Sequence, residues 1–210
     1  MLNSDVGNSG LSDCRLVIFH GYAAVLSSRG KLLALMNSIF FVSVFVVASA
    51  VELLFPPPLS SGWEPRFPEI FFSNNFVVLF LVIFLSNLVL SSFVFVSLPG
   101  FAFFPLSSAV LFYRAFLWGL LLSFQPTWLF LIAVPVIVLE GEAYCLAATA
   151  GAIVGISWLR PKWLYREEIL TRGNAFRRAM KECLKMYVFV AVFLLIAALI
   201  EASILTFLST

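Results

Sequence analysis

Residues 128–158 read WLFLIAVPVIVLEGEAYCLAATAGAIVGISW, thirty-one residues with two ionisable side chains, Glu140 and Glu142. A soluble helix this long would carry a polar face. This one is apolar on every side, and about 20 apolar residues suffice to cross a bilayer. The stretch reads as a membrane-spanning helix with length to spare. Pro135, Glu140, Gly141 and Glu142 mark its middle as the place for a tilt, a kink or a break.

Working outward, four more stretches are long and apolar enough: about 32–55, 76–98, 106–124 and 185–208. The chain as a whole is 62% hydrophobic and 11% charged, with a mean hydropathy of +1.05. Soluble domains are nearer half apolar and a quarter charged, so lipid must solvate most of this surface. The fold class is all-α, a polytopic membrane bundle of about five transmembrane helices. Residues 32–210 form a single transmembrane domain. Residues 1–31 form a cytoplasmic segment in which the short apolar run 16–26 reads as an interfacial helix. The polar first fourteen residues, with Asp5 and Asp13 and no lysine, do not look like a cleaved signal, so the first span reads as an uncleaved anchor.

Punctuation between spans is clear. Pro56, Pro57 and Pro58 end the first span, since proline cannot continue the backbone ladder. The segment 60–75 mixes Trp63, Phe67, Phe71 and Phe72 with polar residues, as suits the headgroup layer. Pro99–Gly100 and Gln125–Pro126 mark the next turns. Basic residues set the orientation. Residues 1–31 hold Arg15, Arg29 and Lys31, and residues 159–185 hold Arg160, Lys162, Arg166, Arg172, Arg177, Arg178, Lys181 and Lys185. The intervening loops hold only Arg66. Five spans put the N-terminus and the basic loop on one side, which the charge bias makes the cytoplasm, with the C-terminus outside. Within the loop, Asn174 suits an N-cap, and Phe176, Met180 and Leu184 fall on one helical stripe. That stripe reads as a lipid-sensing or partner-binding helix, or simply as a stop-transfer flank that fixes topology.

Ionisable groups at mid-membrane cost about 2.5–3.5 kcal/mol each and need a partner or a role. The intramembrane polar set is Asn87, Arg114, Glu140, Glu142 and Glu201, with Glu52 near the end of the first span. At about 1.5 Å per residue, Arg114 and Glu140 fall at similar depth on consecutive helices. An ion pair from Arg114 to Glu140 or Glu142 is expected. Glu140 and Glu142 lie on different faces unless Gly141 breaks the helix. The acids read as a proton or cation site, or as polar glue for the bundle. Ala143, Ala147, Gly151 and Gly155 make a small-residue stripe, expected to pack against the fifth span, where Ala197, Ala198 and Ala202 flank Glu201, or against a second copy of the chain.

Catalytic and metal chemistry find little support. Cys14, Cys145 and Cys183 form no CxxC pair, and His20 is the single histidine, so no metal and no cofactor is expected. Glu167–Glu168–Ile169–Leu170–Thr171–Arg172 matches the EExxxR string of glutamyl intramembrane proteases, but that chemistry needs histidines on later helices and none follows His20. There is no P-loop, GxSxG or HExxH. The basic loop abuts lipid and lacks a nucleic-acid fold signature. An enzyme is not expected. The expected partners are membrane lipid and a membrane protein or another copy of the chain.

Over roughly residues 70–208 the chain resembles the stage II sporulation protein M family of integral membrane proteins. The resemblance rests on Phe84–Leu85–Ser86–Asn87, on Glu140–Gly141 with Ala147 and Gly155, and on the closing Ala197–Ala198–Leu199–Ile200–Glu201–Ala202. Many family members carry His-Gly-x-x-Glu in the fourth span. Here Glu140 stands at the histidine position and Tyr144 at the glutamate position. The resemblance implies a non-enzymatic membrane protein. Its sporulating members act with cell-wall hydrolases during engulfment, as a membrane scaffold. A small transporter or channel component using the intramembrane glutamates is the alternative reading of the same residues.

Overall fold

A computed structural model describes residues 9–55, 75–123, 127–165 and 170–208. Segments 56–74, 124–126 and 166–169 lie outside the described residues, and with them the proline run, most of the aromatic loop, the Gln125–Pro126 turn and Glu167–Glu168. So do the side chains of Cys14 and His20.

Every described element is helical: α1 Ser9–Leu54, α2 Phe76–Leu85, a π-helix Ser86–Ser97, α3 Leu98–Ala102, α4 Phe104–Ser123, α5 Thr127–Leu159, α6 Pro161–Leu164 and α7 Arg172–Leu208. Five helical stretches are long and apolar enough to span a membrane: Arg29–Leu54, Phe76–Ala102, Phe104–Ser123, Leu131–Leu159 and Arg172–Phe207. Residues 16–26 are the early part of α1, which runs unbroken into the first span.

The fourth span is the axis of the bundle. In its most apolar window 56% of the residues are buried, against 17–28% in the other spans, so it is the one ringed by helices. Composition explains the position. Ala, Gly, Ser and Thr crowd its second half, and small side chains let neighbouring backbones approach. Gly151 and Gly155 meet the second and third spans where these join. A Cβ on Gly155 would lie 2.1 Å from the Gly100 carbonyl oxygen, and one on Gly151 would lie 2.7 Å from that of Ser97. The two glycines of the stripe are therefore used within the chain, against the end of the second span and the start of the third, while Ala143 and Ala147 share a core cluster with Val190 and Leu194 of the fifth. The fifth span also docks on another face, where Ala150, Ile153 and Val154 meet Ala179, Cys183 and Met186. Ala198 and Ala202 pack instead on Leu79 and Ile83 of α2.

The α5 helix is continuous through Gly141, with Pro135 inside it. Gly141 is small because α1 crosses there: an added Cβ would lie 2.6 Å from the ring of Phe40. Glu140 and Glu142 accordingly point to different neighbours.

The second span is unusual. For twelve residues its backbone winds as a π-helix, a form more often met as a single-turn bulge and often at functional sites. Its inward polar positions recur every five: Ser92 and Ser97 lie fully inside beside Val96, with Asn87 half-buried in line. On an α-helix, positions five apart point about 140° from one another. In π winding, which bonds i to i+5, they share a face. Serine hydroxyls help satisfy the wound backbone: Ser86 Oγ donates to the Ile83 carbonyl at 3.0 Å and Ser92 Oγ to that of Asn87 at 2.8 Å. One extended residue, Phe103, then separates α3 from α4.

Candidate functional site

The polar centre is built on α5. Glu140 is 3% exposed and Tyr144, one turn on, is fully buried. From the π-helix, Asn87 Nδ2 donates to Glu140 Oε1 at 2.6 Å. From α4, Arg114 Nη2 donates to the Tyr144 hydroxyl at 2.7 Å, and its guanidinium lies 4.1 Å from the centre of the tyrosine ring. The tyrosine proton has two acceptors, Asn87 Oδ1 at 3.1 Å and Glu140 Oε2 at 3.3 Å. Arg114 and Glu140 thus meet through Tyr144, not as the direct ion pair expected from their depths. Arg114 Nε is buried without a hydrogen-bond partner among the described residues. The tyrosine π-face beneath the guanidinium supplies part of the missing interaction.

Glu201 of α7 lies within electrostatic reach of Glu140, but none of these hydrogen bonds extends to it. Glu142 is elsewhere. It faces α1 beside Asn37, whose Nδ2 donates to the Leu33 carbonyl at 3.2 Å. Asn87, Arg114, Glu140 and, by charge alone, Glu201 form one cluster from four spans; Glu142 belongs to a separate contact with the first. Three residues, Tyr144, Ser92 and Ser97, were not singled out from sequence for this role. Tyr144 had been noted only for its register, because a tyrosine in an apolar helix reads as packing. Ser92 and Ser97 extend the polar line from Asn87: Ser97 Oγ donates to the Ala147 carbonyl at 2.7 Å, and Tyr187 hydrogen-bonds both Ser97 Oγ and the Ser92 carbonyl. The five-residue spacing Asn87, Ser92, Ser97 is the signal that could have found them.

A second polar assembly sits at the end of the bundle that carries the basic loop. Arg29, at the start of the first span, donates from Nε to Glu182 Oε2 at 3.0 Å and from Nη2 to Oε1 at 3.3 Å. Its Nη1 donates to the Leu164 carbonyl at 3.1 Å. Tyr165, 7% exposed, donates to Glu182 Oε1 at 3.2 Å and has the guanidiniums of Arg29 and Arg178 over its ring at 5.2 and 4.9 Å. Burial first, and the Glu182 charge second, push the Tyr165 phenol up to about 12. Nearby, Trp158 Nε1 donates to the Phe101 carbonyl at 2.7 Å, tying the fourth span to the end of the second.

At the start of α7 the stripe Phe176, Met180 and Leu184 lies beside the buried line, one residue along from it. Ala175, Ala179 and Cys183 are the buried line, whereas Phe176 and Leu184 are 39% and 71% exposed. Cys145 and Cys183 are buried free thiols. No group of three or more His, Cys, Asp or Glu side chains gathers among the described residues.

Comparison with curated proteins gives no match, and comparison with solved structures gives none. The family model described as Stage II sporulation protein M matches residues 32–204. That range takes in the second, third and fourth spans whole, all but the ends of the first and fifth, and the polar centre, in which Tyr144 is hydrogen-bonded to Glu140. The chain is a multi-pass integral membrane protein of the stage II sporulation protein M family.

Proposed function

We propose that the protein is a non-enzymatic scaffold or complex subunit of the cell membrane, with the basic loop and N-terminal segment in the cytoplasm and the C-terminus outside. One observation carries this reading: four polar side chains at the centre of the spans are engaged with one another. Asn87, Arg114, Glu140 and Tyr144 form a closed hydrogen-bonded set across three helices. Such a set locks helices in place, and it explains the intramembrane charges without any turnover. The basic loop supports the orientation, since eight of its residues are Lys or Arg in a chain with thirteen. The partner is a membrane protein or another copy of the chain, with lipid around it and no nucleic acid.

A transport reading draws on a specific observation, the nearness of Glu201 to Glu140 beside an arginine whose Nε is unpartnered. The two are separated by purification from native membranes in mild detergent. A reproducible stoichiometric partner, together with no proton or cation flux in reconstituted vesicles, is expected. Flux that Glu140→Gln abolishes while the protein still folds overturns the scaffold reading. Labelling of single cysteines at Lys162 and Ser203 in intact cells tests orientation; reagent that reaches Lys162 and not Ser203 overturns it.

A further inference from the structure

Between the π-helix and α7 lies an open groove of about 440 Å³. Leu88, Val89 and Phe93 form one wall, Leu184 and Val188 the other, and Tyr187 the floor. The floor is fixed from inside, because the tyrosine hydroxyl is held by Ser97 and Ser92 and its ring packs edge-on against Phe93 at 5.9 Å. The wall depends on the winding: Leu88 and Phe93 are five apart and line one groove because the π-helix brings them together. Val89, Leu184 and Val188 are 47%, 71% and 53% exposed. On a spanning segment that exposure is to acyl chains.

Charge marks one end of the groove. Along α7, Lys181 is three residues before Leu184 and Lys185 three before Val188, the spacing of side chains on one helix face. Both lysines are exposed. Like charges four apart on a helix repel, and an anion between them relieves both. The nearby carboxylate of Glu182 is held by Arg29. From Leu184 to Ala191 the groove runs about 10 Å along the helix, starting at the level of Lys185 and leading away from Lys181. We propose that this groove binds one acyl chain of an anionic phospholipid whose phosphate rests on Lys181 and Lys185. A zwitterionic lipid could enter the same groove, but its own cation competes for the phosphate, so the pair of lysines selects net negative headgroups.

Native mass spectrometry of the full chain in mild detergent tests this, with dioleoyl phosphatidylglycerol and dioleoyl phosphatidylcholine as probes. One tightly held phosphatidylglycerol per chain is expected, bound about tenfold more strongly than phosphatidylcholine. Lys181→Gln with Lys185→Gln removes the preference, and Ala191→Phe, which fills the groove, weakens both lipids. Leu184→Gln, at an exposed position, reads the same contact should the phenylalanine variant lose its thermal midpoint. Equal binding of the two lipids, a preference that survives the lysine changes, or lipid binding indifferent to both groove variants overturns the proposal. Competition by glycerophosphoglycerol overturns the role of the tail. A dimer whose formation expels the lipid assigns the groove to a second copy of the chain instead.

Discussion

Two places in this molecule use the same three residue types: an arginine over a tyrosine ring, with a glutamate beside them. In the polar centre these are Arg114, Tyr144 and Glu140. At the basic end they are Arg29, Tyr165 and Glu182, with Arg178 on the same ring. The geometries differ. At the basic end the arginine and glutamate meet directly through two hydrogen bonds, and the tyrosine adds to a pair that already exists. At membrane depth the tyrosine stands between the charges, and its hydroxyl serves both. Water can complete the shells of Arg29 and Glu182, which are 13% and 23% exposed. Lipid offers no such help, so the donors and acceptors in the centre turn to other side chains, and Arg114 Nε is left to the tyrosine ring.

The largest effect expected from this contrast is at Arg114. Arg114→Ala leaves Glu140 and Glu201 facing each other without a cation, and should lower stability by about 3 kcal/mol, read as folded yield and thermal midpoint in detergent. Adding Glu140→Ala should restore part of the loss. A double variant no better than the single would mean that the centre is not electrostatically linked. Next come the tyrosines. Tyr144→Phe strips Arg114 Nη2 and Asn87 Oδ1 of a partner and should cost about 2 kcal/mol. Tyr165→Phe should cost less than half of that, because Arg29 keeps Glu182. Equal losses would erase the difference between the two sites.

Of the same order, Arg29→Gln should cost about 1 kcal/mol and should cost less in 1 M salt, whereas the Arg114→Ala loss should not respond to salt. The last effect is one of pH, and it is absent at neutral pH. The folded Tyr165 phenol lies at about 12, above the value near 10 of an unfolded tyrosine. The folded state therefore holds this proton more tightly. The associated stability is complete below about pH 10 and is lost as pH rises through about 12. Thermal midpoints should fall across that window, and the Tyr165→Phe protein should give the flatter curve.

Span count and the depth match of Arg114 with Glu140 were legible because both rest on one rule, that bilayer cores tolerate long apolar helices and punish isolated charge. The partners of those charges were less legible. Tyr144 carries no charge, so the same rule passes over it. The π-helix escaped because the spacing Asn87, Ser92, Ser97 has no meaning on the α-helix that an apolar run suggests. The stripe Phe176, Met180, Leu184 was legible as one face of a helix, but the buried line one residue before it was not. In water the largest apolar side chains turn inward. Where lipid is the solvent, small ones do, since close helix approach is the available gain. Ala175, Ala179 and Cys183 are inside, and Phe176 and Leu184 lie outside. The small-residue stripe on α5 was recognised by this logic, but spacing alone could not choose among the helices that offer small partners, and Gly100 and Ser107 at the second turn proved closer than the alanines of the fifth span.

The single residue Phe103 between α3 and α4 bears on how the protein is made. From Phe76 to Tyr113 the chain contains no Lys, Arg, Asp or Glu, so the turn carries no address for the insertion machinery, and the two helices on either side are too closely joined to be threaded independently. By the charge bias that orients membrane helices, their direction would be set by basic residues outside the pair, Arg29, Lys31 and Arg66 before them and the basic loop after them. The hairpin is a passenger in its own biogenesis, oriented by segments that it touches only once the bundle has closed.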